Sequence, residues 1–324
     1  MFRKLTFALL ALTLLLAACA PAVIATPEPA AIPATEAPVL VLPAQPVDNI
    51  SLTDGLGRQV ILAQPAQKVV SLAPSNTEIL FAIGAGGQTV GRDMFSDYPA
   101  EALFLPDIGG SMGEYNLEAI VALQPDLVLA AEINPTELVK SLEDLGLTVF
   151  YLANPTTLEE MYDNLAIVAQ LTGREAESAA LVESLKARVA AVDEKIAPLS
   201  SRFSVFYEID ASNPSQPWTA GKGTFITLLI ERAGGYNIAA ELDSYPQLSV
   251  EQIVADDPMF IILGDAMWGV TVESVGQRPG WENLAAVQNG NIFPFDDNLA
   301  SRPGPRLVDG LETLAKILRP ELFE

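Results

Sequence analysis

REAESAALVESLKARVAAVDEKIA, residues 174–197, holds neither Gly nor Pro and is rich in Ala, Glu, Leu and Lys. These residues lose least on entering a helix. Leu181, Leu185, Val189, Val192 and Ile196 recur at steps of four, four, three and four. That spacing predicts one apolar stripe at helical period. Gly173 precedes the segment and Pro198 closes it. At roughly 1.5 Å per residue the helix would run about 36 Å. It stands near the middle of a 324-residue chain, with α/β-like sequence on either side. Two readings follow: a rigid strut between two lobes, or a surface helix within one domain. The flanks favour the strut.

The sequence before the strut alternates short apolar runs with helical stretches. Asp54-Gly55-Leu56-Gly57-Arg58 separates ISLT from QVIL as a hairpin turn would. Lys68–Leu72 reads as a buried strand, and Ser75 with Glu78 three residues on has capping-box spacing at the start of the next helix. Asn116 can cap a short helix that Pro125 ends, followed by the strand Leu127–Leu129. Glu137–Leu145 reads as helix, Thr148–Leu152 as strand, and Thr157 with Glu160 as a second capping-box candidate. Such alternation argues for a parallel sheet with helices on both faces.

After the strut the order repeats. Arg202–Ile209 reads as strand and Thr224–Ala233 as helix. The segment EQIVADDPMFII, from Glu251, lies without a gap on EAIVALQPDLVL, from Glu118, sharing Glu, Ile, Val, Ala and Pro. Both helices follow a good cap, Ser249 or Asn116, and both feed an apolar strand. The fold class is therefore α/β: two topologically similar lobes with mainly parallel sheets, one long bridging helix, and a cleft between them. A single large doubly wound domain is the other arrangement.

Composition narrows the function. Net charge is −23, which disfavours nucleic acid and anionic membrane surfaces as partners. There is no His and a single Cys, so a Ser-His-Asp or Cys-His site is impossible and a bare transition metal lacks its usual ligands. No catalytic residue, metal ligand or cofactor is expected. Gly221-Lys222-Gly223-Thr224 hints at a phosphate loop but lacks the earlier Gly and the Ser or Thr after Lys222. Carboxylate pairs such as Asp296 and Asp297 could serve a glycosidase, but such pairs are more often loop acids.

The single Cys is Cys19. Arg3 and Lys4 precede an apolar run, Leu5–Leu16, followed by Leu16-Ala17-Ala18-Cys19. This resembles the lipobox of bacterial lipoproteins, which implies acylation of Cys19; a plain secretory signal cut after Ala18 is the alternative. Residues 20–47 are rich in Pro and Ala with almost no charge, which suits an extended tether of at most roughly 90 Å. The expected division is signal 1–19, tether 20–47, N-terminal lobe 48–173, bridging helix 174–197 and C-terminal lobe 198–324.

From about Asp54 to about Leu318 the chain resembles the substrate-binding proteins of ABC importers for vitamin B12 and iron chelates. The resemblance rests on Ser71–Glu78, Phe95–Pro99, Asn116–Glu118 with Pro125–Val128, Trp218–Lys222, and Arg302–Arg306. It implies a ligand cleft offering Pro74, Ser75, Phe95, Tyr98 and Met112 from the first lobe. The second lobe would offer Trp218, Tyr245, Asp297 and Arg302. Met112 and Tyr245 stand where the B12-binding likeness has Trp, and the alignment around Asp297 is ambiguous by one residue. The resemblance also implies that Glu118 and Glu251 meet arginines of a dimeric permease, itself coupled to ATPase subunits. The protein would be a monomer, held by its lipid at the outer face of the cytoplasmic membrane. Aromatic residues and Met on facing loops suit a large, flat, partly apolar ligand. Few cations are available for an anionic one: Arg302, Arg92, Lys222 and Arg278. A corrinoid is therefore favoured over a siderophore or haem. A lipid-anchored sensor or adhesin without a permease is the reading from a different class.

Overall fold

The computed structural model describes residues 49–323. The signal segment 1–19 with Cys19, and the tether 20–47, lie outside the described residues.

In the first lobe, strands β1 (Ile50–Thr53) and β2 (Gln59–Leu62) form an antiparallel hairpin. The sheet proper follows: β3 (Val69–Ser71), helix α1 (Pro74–Ala82) and β4 (Thr89–Arg92). A small hairpin, β5 (Gly109–Ser111) and β6 (Glu114–Tyr115), leads into α2 (Leu117–Ala122) and β7 (Leu127–Ala131). Then come α3 (Thr136–Asp144), β8 (Val149–Leu152) and α4 (Leu158–Thr172). The parallel order is β4-β3-β7-β8.

Helix α5, Glu175–Ile196, crosses to the second lobe. There β9 (Phe203–Glu208), α6 (Phe225–Arg232), β10 (Gly235–Asn237), α7 (Val250–Asp256) and β11 (Phe260–Leu263) follow. Short helices α8 (Val272–Gly276) and α9 (Ala285–Asn289) precede β12 (Ile292–Pro294), and α10 (Asn298–Ser301) and α11 (Leu307–Leu318) end the lobe. The parallel order is β10-β9-β11-β12, the counterpart of the first sheet.

Strand residues alternate between two cores, as a period of two requires. Val69, Leu127, Leu129, Phe150 and Leu152 enter one cluster; Val70, Val128, Ala130, Val149 and Tyr151 enter another on the opposite face. In the second sheet Val205, Tyr207, Phe260 and Ile262 share the first lobe's cluster, while Phe206, Ile261 and Leu263 pack with Trp281. One apolar core thus runs through both lobes. The α5 stripe fills its middle: Leu185, Val189, Val192 and Ile196 are buried in it, and α5 packs on both α4 and α11. The bridge is therefore more than a strut. Spreading the lobes would open a continuous close-packed core as well as bend a helix.

Of the four helix caps expected from the sequence, three form and one does not. Asn116, Thr157 and Ser249 side chains accept the N–H groups of Ala119, Glu160 and Gln252. Glu160 returns its carboxylate to the Thr156 N–H, one residue before the cap. The Ser75–Glu78 capping box does not form. Pro74, whose fixed φ suits the first helical position, starts α1 one residue earlier behind Ala73, so Ser75 and Glu78 both lie inside the helix.

Candidate functional site

In open parallel sheets, ligands gather outside the carboxyl ends of the strands. Here the exits of β3, β7 and β8 line a cavity of about 330 Å³ with Pro74, Ser75, Ile133 and Asn154, and Ser301–Pro303 after β12 close it from the second lobe. The first sheet thus presents its carboxyl ends to a cavity that the end of α10 and the residues after it close from the second lobe. Of the expected ligand residues this cavity brings together Pro74, Ser75 and Arg302.

A buried polar chain sets the first wall. Thr77 Oγ1 donates to Ser71 Oγ at 2.8 Å and lies 2.8 Å from Ser96 Oγ, which donates to the Asp93 carboxylate. Asp93 also accepts the Phe95 N–H at 2.9 Å, so the loop carrying Phe95 is anchored from beneath. Burial pushes the Asp93 carboxyl above its ordinary value. Phe95 and Tyr98 are left half-exposed above this loop. Met112, at the turn between β5 and β6, is 99% exposed and is not drawn into the cavity.

The second wall is built on close backbone approach. Trp218 N–H donates to Asp210 O at 2.8 Å, and the Ile209 N–H donates back to Trp218 O at 2.9 Å. Gly221 N–H donates to Ser244 O and Lys222 N–H to Leu242 O, which places the loop bearing Tyr245 beside Trp218. A Cβ at position 221 would fall 2.1 Å from Leu242 O, so only Gly fits. Thr224 caps α6 through its side chain. The phosphate-loop-like run Gly221–Thr224 therefore has a structural role. Trp218 and Tyr245 remain about half-exposed. Asp297 is partly spent, because its Oδ1 accepts the buried Tyr207 hydroxyl at 2.8 Å.

Arg302 and Tyr98 belong to a charged cluster that ties the lobes together. Arg302 Nη1 donates to Glu78 Oε1 at 3.1 Å and to Asp97 Oδ1 at 2.6 Å, and Nη2 donates to Phe95 O. Arg306 also holds Glu78, and its guanidinium stacks 4.0 Å from the Tyr98 ring centre. Arg278 is closed by Glu208 at 2.7 Å, and Arg92 by the carbonyls of Asp93 and Ala102. Lys222 is exposed. Three of the four cations that could meet an anionic ligand are thus already compensated.

Sequence reasoning missed the loop after β11. Asp210, Ala211, Ser212, Asp265 and Trp268 line a second cavity of about 500 Å³ at the carboxyl ends of β9 and β11. Asp265 is buried, and its Oδ2 accepts the Ala211 N–H at 3.1 Å. Burial and the neighbouring Glu208 carboxylate push the Asp265 carboxyl up to about 7. Trp268 follows on a short 3₁₀ turn too brief to leave a periodic signal. Glu118 and Glu251 line neither of these cavities and are exposed in the first turns of α2 and α7.

A family model described as periplasmic binding protein matches residues 69–299. The chain is 31% identical to an uncharacterized ABC transporter substrate-binding lipoprotein of Bacillus subtilis, over 85% of this chain and 87% of that one. It is 32% identical to a cobalamin-binding protein of Halobacterium salinarum, over 81% of this chain and 72% of the other. Among solved structures it is similar to a periplasmic heme-binding protein of Roseiflexus, with a TM-score of 0.70 and 26% identity, covering 79% of this chain and 99% of that one. The chain belongs to the periplasmic binding protein family.

Proposed function

We propose that this chain is the lipid-anchored substrate-binding protein of an ABC importer, and that its cleft carries a corrinoid to the permease. The observation that carries the corrinoid is the charge state around the cleft: Arg302, which lines it, is held by Glu78 and Asp97, while Arg278 and Arg92 are buried against Glu208 and main-chain carbonyls. A polyanionic chelate would have to break those pairs at the cost of leaving buried carboxylates alone. A large, near-neutral ligand with many amides needs no such exchange. Phe95, Trp218 and Tyr245, with the ring surface of Tyr98 that Arg306 leaves open, supply apolar faces for it. The cobalamin-binding relative supports the same choice. Haem is the second reading, favoured by the likeness to the heme-binding structure.

The anchor rests on Leu16-Ala17-Ala18-Cys19, and the name of the Bacillus subtilis relative supports it. Docking is assigned to Glu118 and Glu251, exposed at equivalent places on the two lobes. Paired acids on related lobes suit a permease that presents the same surface twice.

Uptake of labelled cyanocobalamin by the host tests this reading. Deleting the gene should abolish high-affinity uptake, and Cys19→Ser should release the protein from the membrane fraction. Unchanged cyanocobalamin uptake in the deletion strain would reject the corrinoid reading, and unchanged uptake of haemin and ferric siderophores as well would reject the importer role, leaving a sensor or adhesin.

A further inference from the structure

The two lobes carry equivalent loops, and one of them holds an indole that the fold does not use. In the internal repeat Glu118 corresponds to Glu251, which places Glu132 after β7 opposite Asp265 after β11. Each acid ties its loop to the backbone leaving a neighbouring strand, on opposite sides in the two sheets. Glu132 Oε2 accepts the Asn154 N–H at the exit of β8, and Asp265 Oδ2 accepts the Ala211 N–H at the exit of β9. Each loop then presents a large hydrophobe to solvent: Ile133 is 78% exposed and Trp268 is 79% exposed. Ile133 lines the cavity shared by both lobes, and Trp268 lines the cavity at the carboxyl ends of the second sheet. The segment leaving β9 joins this second cavity to Trp218, because Ile209 and Asp210 pair with the Trp218 backbone while Ala211 is held by Asp265. Trp218 and Trp268 are thus the two indoles attached to the exit of one central strand. Trp268 is largely uncovered and Trp218 about half covered, whereas the remaining Trp, Trp281, is wholly buried.

We propose that Trp268 is a ligand-contacting, specificity-determining residue: it extends the second wall of the cleft beyond Trp218 and takes the apolar face of a flat macrocycle. Exposing so large an indole on an anchored loop gains nothing for the fold, and burial against a ring system is what its surface suits. The inference rests on the reading of the cleft as a carrier of such a ligand.

The test is titration of the wild type, Trp268→Ala, Trp268→Phe and Trp218→Ala with cyanocobalamin, alongside melting temperatures. Trp268→Ala should melt as the wild type does but bind about 10-fold more weakly, with Trp268→Phe restoring most of the loss. Unchanged affinity in Trp268→Ala, with Trp218→Ala weakened, would overturn the assignment while leaving the corrinoid reading intact. If the wild type takes haemin and not cyanocobalamin, the corrinoid reading fails, and the same variants titrated with haemin decide the assignment by the same criterion. Binding of neither compound would overturn both.

Discussion

Arg306 donates to the Glu78 carboxylate through Nε at 2.8 Å and Nη2 at 2.7 Å, joining the start of α11 in the second lobe to the middle of α1 in the first. Arg302 adds a third bond to the same carboxylate. The partners lie 228 residues apart in the chain, and Glu78 is almost fully buried. This ion cluster and the shared core hold the two lobes in one arrangement.

Glu78→Gln should therefore be costly, because it leaves two guanidinium groups facing a neutral amide. Breaking a buried pair from one side costs about 3–5 kcal/mol. Chemical denaturation should show a loss of that order, and an unchanged midpoint would remove the cluster from the account of lobe coupling.

Val189→Pro probes the same coupling from α5. Proline in a helix interior removes a backbone hydrogen bond and clashes with the preceding turn, at about 3 kcal/mol or more. Val189 also sits in the core common to both lobes. Thermal unfolding should show a large drop, with ligand affinity falling alongside it. An unaltered melting temperature would contradict a continuous helix at this point.

The legible part of this fold was the part with a period. Leu185, Val189 and Val192 announced a helix by their spacing, and the match of Glu118–Leu129 to Glu251–Ile262 announced two related lobes. The capping-box spacing of Ser75 and Glu78 misled, because Pro74 competes for the helix start and Glu78 finds its partners at Arg302 and Arg306. No local pattern can reveal a bond between residues 78 and 306. Trp218 and Tyr245 entered as candidates only through the family resemblance, and Trp268 lies on a 3₁₀ turn of five residues that leaves no periodic signal. That Arg302 and Tyr98 would be engaged by protein charges was equally invisible, since their partners come from the other lobe.

Asp265 makes a pH prediction. Burial and Glu208 raise its carboxyl to about 7 in the folded state, against an unfolded value near 4. Between those values the folded protein keeps a proton that the unfolded chain has released. The stability from this group is therefore full below about pH 4 and is lost as pH rises through about 7, at roughly 1 kcal/mol per pH unit. Asp265→Asn can still accept the Ala211 N–H but cannot titrate. Its stability should fall less steeply than that of the wild type between pH 5 and pH 8 in denaturant titrations. Parallel profiles would show that Asp265 is already ionised at low pH.

Glu118→Ala combined with Glu251→Ala separates docking from folding. Both residues are exposed, and each precedes a helix body whose cap, Asn116 or Ser249, is intact without it. Hydrogen bonds from its own backbone and from Ser249 hold the Glu251 carboxyl below its ordinary value. Ligand affinity and melting temperature should stay near wild type, while transport in vesicles containing the permease falls sharply. Transport at the wild-type rate would end the docking assignment; a large drop in melting temperature would return both acids to a helix-dipole role.

The central claim is that the cleft is built for a large, near-neutral macrocycle. Calorimetric titration of the purified chain lacking residues 1–47 with cyanocobalamin measures it most directly. The account predicts saturable one-to-one binding that changes little between low and high salt, because Arg302, the arginine lining the cleft, is already paired, and that weakens by about 1–3 kcal/mol in Trp218→Ala. Absence of saturable binding to cyanocobalamin, with tight and salt-sensitive binding of an anionic ferric siderophore instead, would contradict it.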